Sequence, residues 1–211
     1  SGTQDVDITF NIYSGSLGEG NIDFEVVDEG GNTATTSFSF IVVSPEAKIQ
    51  TAVILYAPLE DLSSETFYSI LKNETYSRNE VESTADPISA NIDFGYYYGT
   101  NDNASLASPA EYTIYNLTDA GWTTRNATIL STTAITNSEY LEMITVGDLE
   151  AAISGVDLSN ANGTVTNLSE GDILMFNTVE DVQGLIHIRA ISGTDGSDGM
   201  IEIEIKLAVG V

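Results

Sequence analysis

Strict alternation of apolar and polar residues opens the chain. Val6, Ile8, Phe10 and Ile12 fall on one side of an extended segment from Asp5 to Tyr13, and Ile22, Phe24 and Val26 repeat the pattern after a Gly-rich turn from Ser14 to Gly20. Successive side chains of a strand point to opposite faces, so each run predicts a strand with one apolar side. Asp28-Glu29-Gly30-Gly31-Asn32 supplies the next turn, because Gly and Asn tolerate the positive φ that hairpins require, and Phe38, Phe40 and Val42 predict a third strand. Ser44-Pro45-Glu46 ends the pattern as a short linker, which divides the chain into residues 1–45 and 46–211.

In the second part Val53-Ile54-Leu55-Tyr56, bounded by Pro58, predicts a buried strand. Thr66 to Tyr68 and Glu74 to Tyr76 predict a hairpin around Leu71-Lys72-Asn73. Ser77-Arg78-Asn79-Glu80 and Thr136-Asn137-Ser138-Glu139 have the spacing of capping boxes, in which a hydroxyl and a carboxylate satisfy free amides at a helix start. They predict a helix over 78–84, ending before Pro87, and another that Gly147 interrupts before Gly155. Asp93 to Tyr98 predicts a strand with rings on both faces. A loop follows from Asn101 to Pro109, and a short strand from Tyr112 to Tyr115. Residues 173–176, 185–191 and 201–207 predict the closing strands, the last with Ile201, Ile203, Ile205 and Leu207 inward and Glu202, Glu204 and Lys206 outward.

Charge narrows the function. The 211 residues include 32 Asp and Glu against 6 Lys and Arg, a formal net charge of -26. Such a field repels phosphate backbones, which excludes nucleic acid as a partner and disfavours anionic membrane surfaces. Cysteine is absent, so there is no disulfide framework, thiolate metal site or cysteine nucleophile. No apolar run is long enough to span a bilayer. The opening Ser-Gly-Thr-Gln reads as an artificial boundary rather than a natural start.

Catalytic equipment is sparse. His187, the single histidine, shares a strand face with Arg189 and reads as a half-exposed structural residue. A serine triad would need it, yet no Gly-x-Ser-x-Gly elbow exists. Paired carboxylates could hydrolyse glycosides, but among 32 acids some pair meets the required spacing by chance. Glu60-Asp61, Glu80 with Glu82, and Asp93 are candidates in name only. Asp195-Gly196-Ser197-Asp198-Gly199 packs oxygen ligands beside permissive glycines, so Asp195 and Asp198 are the candidate calcium ligands; the loop lacks the EF-hand spacing and reads first as a β-turn. No cofactor is expected, calcium at this loop being the one exception the residues allow. Six Asn-x-Ser/Thr tripeptides follow from an Asn- and Thr-rich composition.

Asp93 to Arg125 holds five of the ten tyrosines and the single tryptophan. Flat rings stack on the C–H faces of sugars while polar groups such as amides and carboxylates bond the hydroxyls, which makes Tyr97, Tyr115, Trp122, Arg125 and Asn126 the candidate ligand-binding residues. The competing reading is a core, with Phe94, Tyr96 and Trp122 packed under the loop.

The first 43 residues, with Val-Val-Asp, a Gly-Gly-Asn turn and a closing Ile-Val-Val, resemble the last three strands of an immunoglobulin-like repeat of bacterial surface proteins. Residues 50–209 carry Asp-Phe-Gly-Tyr-Tyr-Tyr-Gly, Ala-Ser-Leu-Ala-Ser-Pro, Gly-Trp-Thr-Thr-Arg-Asn-Ala-Thr and Gly-Asp-Ile-Leu-Met-Phe, in an order that resembles the uncharacterised C-terminal domain of Bacteroidota surface lipoproteins. That resemblance implies export and surface exposure, with a lipid anchor upstream of these residues as the membrane attachment, and it carries over no catalytic residue. The expected fold is α+β and mostly β: a partial immunoglobulin-like sandwich, then an antiparallel sheet or small barrel with short helices. The expected function is a noncatalytic cell-surface or secreted module that binds a glycan or protein, with self-association through the N-terminal strands. A purely structural or assembly module is the alternative, and a glycoside hydrolase the third.

Overall fold

The computed structural model describes residues 16–83, 88–118, 121–159 and 161–210. The chain divides into two compact units, Ser1–Ser44 and Pro45–Val211.

In the first unit, β1 (Gly18–Val27) and β2 (Thr33–Val42) form an antiparallel hairpin. Asp28 closes the turn: its Oδ1 accepts the Asn32 N–H at 2.8 Å and its backbone carbonyl accepts the Gly31 N–H at 3.0 Å. One face carries Ile22, Phe24, Val26, Phe38 and Phe40; the other carries Glu19, Asp23 and Glu25, with Ser37 bonded to Asp23 at 2.6 Å. Phe38 and Val26 remain 57% and 68% exposed, because two strands cannot cover their own apolar side. The strand expected over Asp5 to Tyr13 lies outside the described residues.

The second unit contains two open antiparallel sheets. The first is built from β3 (Ala47–Tyr56), β8 (Ile129–Thr132), β10 (Ile173–Asn177), β11 (Gln183–Ser192) and β12 (Met200–Gly210), in the order β3-β12-β11-β10-β8. The second is built from β4 (Glu65–Ser69), β5 (Glu74–Ser77), β6 (Phe94–Gly99), β7 (Asn103–Ala107) and β9 (Thr164–Val165), in the order β5-β4-β6-β7-β9. Leu55, Phe94, Tyr96, Leu106, Phe176, Ile186 and Ile203, drawn from both sheets, share one core. The fold is thus mostly β with a few short helices, and its sheets stay open instead of closing into a barrel.

Helices and loops cover the outer faces. Helices α2 (Asn137–Glu142) and α3 (Val146–Ser154) bring Tyr140, Leu149 and Ile153 onto Ile173, Met175 and Leu185 of the first sheet. Helix α1 (Arg78–Ser83) and the 108–128 segment cover the second. Both predicted capping boxes form: Ser77 N–H and Oγ reach Glu80 Oε2 at 2.7 and 2.8 Å, and Thr136 does the same with Glu139 at 2.7 Å.

Several expectations need correction. The break between α2 and α3 falls at Met143 to Thr145, not at Gly147, because Thr145 and Asp148 form a third capping box that restarts the helix. The loop expected over Asn101 to Pro109 contains β7. Asn103 turns the chain at φ 51, and the small residues Ala104 and Ala107 pack without an obvious apolar period. Tyr112 to Tyr115 is not a strand but part of the covering loop. Lys206 is buried rather than outward: α2 lies over it, and its Nζ donates to the Tyr140 and Met143 carbonyls at 2.6 and 2.8 Å. Those carbonyls sit where α2 ends, and a cation there satisfies groups the helix leaves open.

Candidate functional site

Placed in the fold, most of the aromatic stretch is interior. Tyr97 and Trp122 are 3% and 6% exposed and belong to the cluster over the outer face of the second sheet, with Phe67, Ile92, Tyr112 and Leu117. Trp122 meets Phe67 edge-on at 4.8 Å, and Tyr97 meets Tyr112 at 5.8 Å. Gly95 makes this layer fit, since a Cβ there would lie 2.6 Å from the Phe67 ring and 3.0 Å from Tyr112. Tyr115 is half-buried; it stacks on Tyr112 at 6.3 Å, takes the Arg78 guanidinium on its ring at 4.1 Å and donates to the Leu59 carbonyl at 3.0 Å. Asn126 is buried, and its amide donates to the Ala90 and Ile92 carbonyls at 2.9 Å each. Arg125 is exposed. The five residues therefore do not gather on one open face: packing holds the rings and backbone carbonyls hold the amide.

The other candidates are also placed. Asp195 and Asp198 are exposed turn residues; Asp195 accepts from the Thr194 hydroxyl at 3.3 Å, and no group of three acidic or imidazole side chains suited to a metal forms among the described residues. His187 is buried, not half-exposed, with its ring 5.0 Å from Tyr140 beneath α2; burial lowers its pKa, and Arg189 adds to the effect. Glu82 pairs with Arg78 and Asp61 accepts from Ser63. Asp93 is the one carboxyl sealed inside among the described residues, 3% exposed. Burial pushes its pKa up to about 7, against the pull of the Ile70 N–H at 2.7 Å and with a further push from Glu180.

Open chemistry lies instead where the two sheets end side by side. On one flank β8 and β9 are neighbouring edges, and the Leu130 N–H donates to the Asn162 carbonyl across them at 2.7 Å. A groove of about 880 Å³ beside them is lined by small alkyl and hydroxyl side chains, Glu139 and Asp157. On the opposite flank β3 and β5 are the edges, and between them runs a groove of about 660 Å³, within the range of ligand sites. Tyr56, Tyr68 and Tyr76 line it, Tyr68 almost fully buried and Tyr76 half-buried against the ring layer as well, and Glu65, Glu74 and Glu80 supply its charges. Each carboxylate is oriented by a neighbour: Thr75 Oγ1 donates to Glu65 at 2.5 Å, Tyr76 Oη to Glu74 at 2.5 Å, and Ser77 to Glu80. Burial raises the Tyr76 pKa to about 12, and the Glu74 bond adds to it, so the hydroxyl stays a proton donor. Ala52, at φ 55, marks a bulge where β3 slips in register against β12.

Nothing in the sequence announces this groove. Its residues come from three separated strands and a helix start, and Glu65, Glu74 and Glu80 look like ordinary surface acids until β5 is laid beside β3.

Comparison with known proteins gives a fold relationship. No protein-family model and no curated protein matches the sequence. A solved structure of a DUF4466 family protein from Parabacteroides merdae matches at a TM-score of 0.55 and 12% identity, covering 89% of this chain and 61% of that one. The chain thus spans less than two thirds of that protein's length. At this identity the likeness is one of fold, to a protein of the Bacteroidota.

Proposed function

We propose that the chain is a noncatalytic module of a bacterial surface or secreted protein, and that it recognises a glycan or protein in the groove between β3 and β5. The carrying observation is the convergence of Tyr56, Tyr76, Glu65, Glu74 and Glu80 on one open groove of about 660 Å³. Tyrosine faces accept sugar C–H groups or peptide side chains, and oriented carboxylates accept hydroxyl or ammonium protons. Glycan and peptide arrays probed with the wild-type chain and Tyr76→Ala test this reading. Hits that weaken in the variant support it, and hits indifferent to Tyr76 and to Glu74→Gln remove the groove from the site.

A structural or assembly role is the second reading, and two observations favour it. The aromatic stretch is a packed layer, and the β1–β2 hairpin carries an uncovered apolar face that self-association or a neighbouring module would bury. Concentration-dependent sedimentation of the wild-type chain against Phe38→Ser tests this role.

A further inference from the structure

The recognition reading leaves the occupant of the groove open, and resting on that reading we propose that the groove takes an extended, lysine- or arginine-bearing peptide segment, which adds to β3 as a new edge strand.

The backbone of β3 supplies the template. Antiparallel partners alternate between pairs that exchange hydrogen bonds and pairs that do not. The Ala57 N–H donates to the Gly199 carbonyl at 2.9 Å, and the same register pairs Leu55 with Ile201 and Val53 with Ile203. Residues 53, 55 and 57 therefore bond inward to β12, while Ile54 and Tyr56 turn their N–H and C=O groups outward. The Tyr56 carbonyl accepts from Thr66 Oγ1 at 3.0 Å. The N–H and C=O of Ile54 and the N–H of Tyr56 meet no backbone partner among the described residues. At the opposite flank the equivalent edge is bridged by Leu130 and Asn162. The bulge at Ala52 ends the regular edge on the N-terminal side, so the template is short and fixes the register of a guest strand.

Charge selects the guest. Glu65, Glu74 and Glu80 line the groove, and no Lys, Arg or His does. A second copy of this chain, at a formal net charge of -26, is repelled by the same field that attracts a basic segment. In an added strand, alternate side chains point to one face, so ammonium or guanidinium groups two residues apart can meet Glu65 and Glu74 while the intervening side chains face away.

The test is fluorescence anisotropy of the full chain with a labelled, end-capped eight-residue peptide of alternating Lys and Val, against its Glu-Val counterpart. The Lys-Val peptide is expected to bind at least about tenfold more tightly, with affinity falling as salt rises. Ile54→Pro removes an outward N–H and leaves the bonds to β12 in place, as edge strands allow, and is expected to weaken binding about tenfold; the Glu65→Gln/Glu74→Gln double variant is expected to do the same. Hydrogen exchange on the unmodified chain gives a readout independent of any variant's folding: peptide should slow exchange of the Ile54 and Tyr56 amides. Equal affinity for the Glu-Val peptide, or unchanged exchange at those two amides under saturating peptide, overturns the proposal. Array hits on glycans that depend on Tyr76, with no Lys-Val binding, also overturn it while leaving the groove's recognition role standing.

Discussion

The ring layer over the second sheet and the groove between β3 and β5 both hold tyrosines beside polar groups, yet they present them in opposite ways. Over the sheet, Tyr97, Tyr112 and Trp122 lie against Phe67 and Gly95, sealed by α1 and the 108–128 segment. At the groove, Tyr56 and Tyr76 sit between two strand edges with three carboxylates around them. The density of rings along the chain favours the first region as a binding face, whereas exposure favours the second. What separates them is topology. A segment that crosses a sheet face must bury its apolar groups there, while two sheet edges that end side by side leave a channel no helix covers.

The largest test of this contrast is Trp122→Ala, which should cost about 3–5 kcal/mol in urea denaturation, the range for removing a large buried ring. Native Trp122 fluorescence should be blue-shifted and shielded from quencher. A loss below about 1 kcal/mol would place the indole at the surface and undo the comparison.

Asp93 sharpens it next, as an acid sealed inside where the groove acids are wet. Its folded pKa of about 7 lies above the ordinary value of about 3.9 for an aspartate, so the folded chain holds a proton that the unfolded chain releases first. That stabilisation is fully present below about pH 4 and is lost as pH rises to about 7, a change on the order of 4 kcal/mol. Asp93→Asn should lack this dependence. Self-repulsion of the acidic chain grows with pH in both proteins and cancels in the difference, which denaturation at about pH 4.5, 6 and 8 would measure. Parallel pH profiles for the two proteins would mean the carboxyl is hydrated.

Gly95→Ala should cost about 1–3 kcal/mol by pushing a methyl into the Phe67 and Tyr112 rings. Thermal melting should show the loss, and an unchanged midpoint would mean the layer is loosely packed. The smallest effect belongs to the groove. Tyr76→Ala should cost about 1–2 kcal/mol, since its half-buried ring also packs against the ring layer, and Glu74→Gln, at an exposed carboxylate, less than about 1 kcal/mol. Their consequence should appear in binding instead.

Where alternation was regular, the strands were legible. Ile201, Ile203, Ile205 and Leu207 face the core as the pattern requires, the hairpin of β4 and β5 forms where Leu71-Lys72-Asn73 turns, and the capping boxes at Ser77 and Thr136 start helices. Strands β7, β8 and β9 were not legible, because Ser105, Ser131 and Thr164 hide the apolar period in small hydroxyl residues. The third capping box is hidden in the sequence because Asp148 stands where the capping-box pattern has Glu or Gln.

By itself, then, the sequence determined local conformation, the acidic field and the mostly β class, since each follows from side-chain period, turn chemistry or charge over a few neighbouring residues. Which rings are covered, why Lys206 and His187 are buried, and where a groove opens were decided by tertiary structure alone. Those properties depend on pairing between strands far apart in the chain, as β3 with β12 and β7 with β9, and no local pattern encodes which sheet edges come to lie together.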